Sequence, residues 1–339
     1  MPSRSSSTAT AAASRRQRIV AGPALLLAAC AVEVPTLGCR ESGPPSCGVC
    51  PAYGEREVVG VLEHPAVTEL SGIAASWRYS NVYYVQNDDP VDVDGLELVL
   101  HAIDNTGRRL ASWELAGARV GNLEGIAVGP CAAGSCIYVA DIGNNVGDAS
   151  PYPVFRIPEP VLDRHAEPIT GTLTEYDTLR LEYPDGGPHD CEAIMVHPHS
   201  ADLYVVEKKV GSTAAVFRAP PWPADAIGPG GTGGSLTLVP VAEVSLVPAG
   251  DQPEDETVVG ADIHPCGERV LMRTYGHVYE YVGVPGAPFE DVFAAVPVQV
   301  PHPGSSESIA YLGDGRGYVS IPEGTAPKLS FVGCAEEAE

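Results

Sequence analysis

The sequence predicts an all-β fold, a β-propeller built from four-stranded blades. Three observations predict it. The chain has 339 residues, of which 37 are Gly and 32 are Pro, a density that interrupts helices and suits short strands joined by many turns. Hydrophobic residues make up 44%, enough to bury a core and to exclude wholesale disorder. A short two-strand phrase then recurs five times.

The first strand of each copy reads as an acidic or small residue, a small residue, and Ile within an apolar run. The copies are Ser71-Gly72-Ile73-Ala74, Glu124-Gly125-Ile126-Ala127, Glu192-Ala193-Ile194-Met195, Gly260-Ala261-Asp262-Ile263 and Glu307-Ser308-Ile309-Ala310. A turn follows, then a second strand: Tyr84 to Asn87, Tyr138 to Asp141, Tyr204 to Glu207, Leu271 to Thr274 and Tyr318 to Ile321. Third strands are expected at Val99–Ile103, Val154–Ile157, Val216–Ala219, Val278–Tyr281 and Leu329–Val332. Four units add a fourth strand, as at Arg109–Leu115 and Leu236–Leu246. From Gly72 through Gly125, Ala193 and Ala261 to Ser308 the steps are 53, 68, 68 and 47 residues, the spacing of propeller blades with variable loops. A β-sandwich would leave the five copies unexplained. The reading is five blades, or six if residues 158–186 hold another. The last unit has three strands, so Val58–Leu62 is expected to supply the missing outer strand and close the ring.

The N-terminus reads as an export signal. Arg4, Arg15, Arg16 and Arg18 precede an apolar run from Ile19 to Ala29, too short to span a bilayer. Leu27-Ala28-Ala29-Cys30 resembles a bacterial lipobox, which makes Cys30 the lipidated first residue of the mature chain; the alternative is an ordinary signal peptide cut nearby. Ser14-Arg15-Arg16 also resembles a twin-arginine signal, but Arg18 stands where a hydrophobic residue belongs. The expected organisation is a signal peptide over 1–29, a Cys/Pro/Gly-rich tether over 30–55, the propeller over 56–334 and an acidic tail over 335–339. With Cys30 set aside, eight cysteines remain, an even number that in an oxidising compartment reads as disulfides. Cys131 and Cys136 flank a turn and are expected to pair across a hairpin. Beyond them the connectivity is open, with Cys266–Cys334 as one pairing.

Lys and Arg number 20 against 44 Asp and Glu, a formal net charge of -24, which the loss of four signal-peptide arginines takes to about -28. That sign excludes a nucleic-acid binder and favours cations. Glu124, Glu192 and Glu307 share one repeat position. Glu69, Asn122 and Asp190 lie two residues earlier, and Asn87, Asp141 and Glu207 end second strands, with Asp88, Asn144 and Asn145 close behind. In a propeller these positions converge on one mouth of the central channel. The expected metal ligands are Glu124, Asp141, Asn145, Asp190, Glu192 and Glu307, an all-oxygen set that suits Ca²⁺. The alternative is that such carboxylates accept backbone N–H bonds and stitch neighbouring blades. His189, Asp190 and Glu192 are the candidate catalytic groups. Lys208, Lys209 and Arg273 follow or end second strands and either hold an anionic group or pair with the acids. No nucleophile elbow, zinc-protease helix, P-loop or dinucleotide motif is present.

The phrases Glu69-Leu-Ser-Gly-Ile-Ala74 and Asn122-Leu-Glu-Gly-Ile-Ala127 resemble two related groups of exported bacterial propellers, the family named for the esterase-like activity of phytase and the SdiA-regulated family. The resemblance implies a secreted or envelope propeller with Ca²⁺ and leaves the substrate open. Metal-dependent lactonase propellers use one Glu with Asn and Asp from separate blades, a set that Glu124, Asn145 and Asp190 imitate by residue type. The expected function is an exported, lipid-anchored or extracellular binding or scaffold module with Ca²⁺ in its acidic channel, monomeric, taking a protein or small-molecule ligand at the mouth. The alternative is a metal-dependent hydrolase of a phosphoester, ester or lactone; the sequence alone does not decide whether the chain is an enzyme.

Overall fold

The computed structural model describes residues 47–64, 67–88, 96–144, 147, 152–210, 213–222, 231–246 and 256–335. They form a five-bladed β-propeller. Strand β1 (Tyr53–Val61) leads into blade one, which comprises β2 (Leu70–Ala75), β3 (Val82–Asn87), β4 (Leu96–Asp104) and β5 (Arg109–Val120). Blade two has β6 (Leu123–Cys131), β7 (Gly134–Asp141) and β8 (Tyr152–Pro158); the chain then runs through β9 (Ile169–Leu173) to β10 (Asp177–Glu182), the fourth strand of blade two. Blade three has β11 (Cys191–Val196), β12 (Leu203–Glu207) and β13 (Thr213–Ala219), followed by β14 (Gly231–Thr237) and its own fourth strand β15 (Val239–Ser245). Blade four has β16 (Val258–Ile263), β17 (Arg269–Thr274), β18 (Val278–Val282) and β19 (Val298–Val300). Blade five has β20 (Ala310–Tyr311), β21 (Gly317–Ser320) and β22 (Lys328–Cys334). Strand β1 pairs antiparallel with β22 and closes the ring as expected.

Two departures from the expected strands share one cause. Residues 158–186 hold no sixth blade. Strand β9 leaves its own blade and pairs in parallel with β5 of blade one, while β10 returns to blade two. The stretch read as one strand over 236–246 divides in the same way: β14 pairs in parallel with β10 of blade two, and β15 completes blade three. Each strap covers the open outer edge of the preceding blade, which removes an unpaired row of backbone groups.

The inner strands β2, β6, β11 and β16 are buried almost throughout, because each lies between two neighbouring blades. That is why they read as continuous apolar runs rather than alternating ones. The core accordingly occupies five seams. Tyr84, Trp113, Ile126 and Phe155 fill the first, Tyr138, Ile194 and Phe217 the second, and Tyr204, Met272 and Phe293 the third. Leu271, Tyr311 and Val332 fill the seam between blades four and five, and Ile73, Val85 and Leu329 the seam that joins blade five to blade one.

Among the described residues, three disulfides fasten the ring. Cys131–Cys136 bridges the β6–β7 hairpin as expected. The Cys266–Cys334 pairing is overturned: Cys266 bonds Cys47, and Cys334 bonds Cys50. The segment before β1 is thereby pinned to blades four and five, and the second bond lies at one end of the β1–β22 ladder. Cys191 is a buried free thiol beside the Tyr183 hydroxyl. Three disulfides point to an oxidising, extracytoplasmic compartment. Among the described residues, no helix is long and apolar enough to cross a membrane. Cys30, Cys39 and the signal and lipobox residues lie outside the described residues.

Candidate metal centre

A repeated backbone irregularity builds the site. Pairing between the first and second strands slips by one residue between Leu70 and Gly72, Leu123 and Gly125, Cys191 and Ala193, and Val258 and Gly260. Such a bulge sets two residues against one partner and re-aims the extra side chain. The bulged positions are Ser71, Glu124, Glu192 and Val259, and with Glu307 of blade five they line the constriction of the central channel. The blade-four phrase is therefore Val259-Gly260-Ala261, one residue earlier than expected. Asp262 falls beyond the constriction, where its carboxylate accepts the backbone N–H groups of Ile263 (2.9 Å) and Tyr311 (2.8 Å).

The small residues of the phrase are required by close approach. A Cβ on Gly125 would stand 2.7 Å from Ile194 Cγ2 and 3.0 Å from its backbone nitrogen, and one on Gly260 would stand 2.3 Å from the Glu307 carbonyl oxygen. Adjacent inner strands are packed backbone to backbone, and that holds the bulged side chains together.

Glu124, Glu192 and Glu307, from three different blades, each place one carboxylate oxygen within 4.8 Å of the other two. Glu124 is 3% and Glu192 2% exposed. Glu124 Oε1 accepts Asn122 Nδ2 at 2.6 Å, and Oε2 accepts the Ser71 hydroxyl at 3.3 Å. Glu192 Oε1 accepts a short hydrogen bond from Lys208 Nζ, and Glu307 Oε1 accepts the Tyr275 hydroxyl at 3.0 Å. Burial drives the Glu124 carboxyl well above the usual carboxylate range, and the Glu192 and Asp88 charges push it further. Burial raises Glu192 as well, opposed by the Lys208 ammonium. Burial acts to lower Lys208, but the Glu192 charge outweighs it and holds the ammonium well above its ordinary value. With all groups ionised, three carboxylates and one ammonium leave two negative charges in a largely dry site.

One further group lacks a partner. Gln86, on β3, is fully buried, and among the described residues neither its amide oxygen nor its nitrogen has a hydrogen-bond partner. The amide lies against Gly72 in the wall of the same constriction, 2.9–3.0 Å from where a Cβ would stand. A buried amide without partners is costly to the fold.

The remaining expected ligands do not join the cluster. Asp141 accepts the backbone N–H groups of Asn122 (2.7 Å) and Gly121 (3.1 Å), and Asp190 accepts that of Asn144 at 2.7 Å. These two carboxylates stitch backbone, Asp190 across to the neighbouring blade. Asn145 lies outside the described residues. His189 stacks on Tyr183, with Nδ1 3.1 Å from Glu207 and Nε2 3.2 Å from Asp185. Arg273 is fully buried and donates to the carbonyls of Gly304 and Ser306 and to Ser320 Oγ. It thereby fixes the loop that carries Glu307, which precedes β20. Tyr275 was missing from the expected site, yet it follows the second strand of its blade at the position of Asp88 and Lys208, so the repeat alone would have found it.

No family model matches the chain, and no curated protein matches it, so no family is assigned. Among solved structures it is similar to the PQQ-bound aldose sugar dehydrogenase of Streptomyces coelicolor (16% identity, 84% of this chain and 99% of that one, TM-score 0.43). It is similar also to the gluconolactonase XC5397 of Xanthomonas campestris (12%, 88% and 99%, TM-score 0.41) and to the RRP9 WD40 repeats (9%, 84% and 99%, TM-score 0.42).

Proposed function

We propose that this chain is an exported, envelope-anchored or extracellular propeller that binds a hard divalent cation, Ca²⁺ in the first instance, at its channel constriction. It acts as a binding or scaffold module through that mouth, as a monomer and without nucleic acid. The observation that carries the reading is the convergence of Glu124, Glu192 and Glu307 within 4.8 Å. Oxygens so spaced leave room for one ion at the 2.3–2.6 Å typical of Ca²⁺ contacts, and an all-carboxylate set from three blades suits a hard divalent ion. The fold does not need the acids, because Ser71 and Val259 occupy the same position in the other two blades. The export signal and the lipobox at Cys30 support placement at the envelope, as does the oxidised state of three cysteine pairs.

Calorimetric titration of the purified chain with Ca²⁺ tests the reading, with Glu192→Gln and Glu307→Gln as controls. Heat of binding and a rise in melting temperature are expected for the wild type and lost in the variants. No heat and no rise in the wild type sink the cation. A panel of ester, lactone and phosphomonoester substrates then decides between binder and enzyme: turnover abolished by Glu192→Gln makes the site hydrolytic. Cys30→Ala is expected to release the protein from membranes, and unchanged fractionation removes the lipid anchor.

A further inference from the structure

The chain contains three lysines, Lys208, Lys209 and Lys328, and one of them has its ammonium in the acidic constriction. Lys208 immediately follows β12, and its backbone N–H donates to the Asp190 carbonyl at 2.7 Å, which fixes its Cα at the mouth. Its Nζ reaches inward to Glu192 Oε1. Among the described residues, no other cationic side chain forms an ion pair with Glu124, Glu192 or Glu307. The ammonium therefore stands in as the site's counter-ion.

An ion held by all three carboxylates must contact Glu192, the residue Lys208 already occupies. A divalent ion and an ammonium cannot share that oxygen set without strong repulsion. The Lys208 side chain is 22% exposed whereas that of Glu192 is 1% exposed, so the lysine has a path to solvent and the glutamate has none. Glu323 feels the charges of Glu307, Glu69 and Lys208, which makes it an acidic neighbour of the displaced ammonium. The buried amide of Gln86, with no hydrogen-bond partner among the described residues, packs behind Gly72, whose backbone lines the constriction.

We propose that Lys208 is a tethered competitor for the channel cation: it fills the acidic site until a divalent ion displaces it outward, and so sets the concentration at which the ion binds. The proposal rests on the cation reading above. It makes binding an exchange of one charge for two, which discriminates against monovalent ions that gain nothing over the ammonium. Apparent affinity is reduced by the fraction of molecules whose lysine occupies the site.

The test has two arms on the full chain. In the first, Ca²⁺ is titrated calorimetrically into the wild type and Lys208→Gln at one pH and ionic strength. The variant is expected to bind at least about tenfold more tightly. In the second, wild-type lysines are acylated with a limiting amine-reactive ester with and without Ca²⁺, and the products are quantified by peptide mass spectrometry. Modification of Lys208 relative to Lys328 is expected to rise when Ca²⁺ is present. Equal or weaker binding by Lys208→Gln overturns the proposal, as does unchanged Lys208 acylation at saturating Ca²⁺; in both cases wild-type binding leaves the cation reading standing. Absence of Ca²⁺ heat from both proteins removes that reading and the proposal with it. Should Lys208→Gln fail to fold, the acylation arm decides alone.

Discussion

Replacing Cys50 and Cys334 by serine tests whether the ring is latched covalently. The β1–β22 ladder remains in the variant, so the effect comes from the unfolded chain and not from lost strand pairing. With Cys47–Cys266 intact, the ring closed by Cys50–Cys334 comprises the 68 residues from Cys266 to Cys334 and the three from Cys47 to Cys50, far fewer than the 284 that separate the bonded pair in sequence. Chain entropy for a loop of about 70 residues gives about 4 kcal/mol at 25 °C. For a domain of this size that corresponds to a fall in Tm of roughly 8–16 °C. Differential scanning calorimetry at matched pH measures the fall, and hydrogen exchange of the β1 amides locates it. Loss of protection is expected first in β1, the strand at the outer edge of blade five. A fall of less than about 3 °C with β1 protection unchanged would show that the ladder alone holds the ring and would refute the latch.

Three further outcomes follow from particular side chains. Burial, with His64 and Arg109 adding to it, holds His101 down at about 4, so the unfolded chain takes up a proton near pH 6.5 while the folded chain does not. Stability therefore falls as pH drops from about 6.5 to 4, by up to about 3 kcal/mol, and His101→Gln is expected to lose that much less over the same range in pH-resolved thermal melts. Gly260→Ala is expected to cost at least about 2 kcal/mol and to weaken Ca²⁺ binding together with it, because the new Cβ drives against the Glu307 carbonyl; melts and calorimetry read the two effects. Arg273→Lys forfeits bonds to the Gly304 and Ser306 carbonyls and is expected to cost roughly 2–4 kcal/mol, with a larger loss of cation affinity than the more distant Arg269→Lys.

The blades were legible because their inner strands are short, buried on both sides and punctuated by small residues, so five copies stand out against the loops. The straps were not. Gly231–Thr237 has the composition of a loop and becomes a strand only because β10 offers it an edge, a partner that no local pattern reveals. The one-residue error in blade four has a similar origin: a bulge adds a residue that breaks period-two counting, and Val258 and Val259 give no polar marker of which side chain turns into the channel. Disulfide partners 219 and 284 residues apart were out of reach of spacing arguments. The three glutamates were found by alignment alone, whereas Asp141 and Asp190, equally acidic and equally recurrent, are occupied with backbone N–H groups. Residue type could not separate these two uses; the neighbouring donors do.

The bulged position offers a control within the molecule itself. Ser71 and Val259 show that the ring closes with a neutral side chain there, so the glutamates are a burden to the fold that a ligand must offset. Glu124→Gln measures the burden. A buried acid whose folded value lies above its unfolded value is stabilised below the unfolded value and loses that contribution as pH rises. With Glu124 still protonated at neutrality, the cost at pH 7 relative to an unfolded glutamate near 4.5 is about 3 kcal/mol. Glutamine removes the titration, keeps an oxygen for Asn122 Nδ2, and turns its own amide toward the Ser71 hydroxyl. In the presence of chelator, Glu124→Gln is therefore expected to melt higher than the wild type at pH 7, and the gap should shrink toward pH 4.5. Added Ca²⁺ should reverse the order, since only the wild type gains from binding. A variant that melts lower than the wild type in chelator would mean that the carboxylate is part of the scaffold, and the case for a ligand at the constriction would lose its energetic basis.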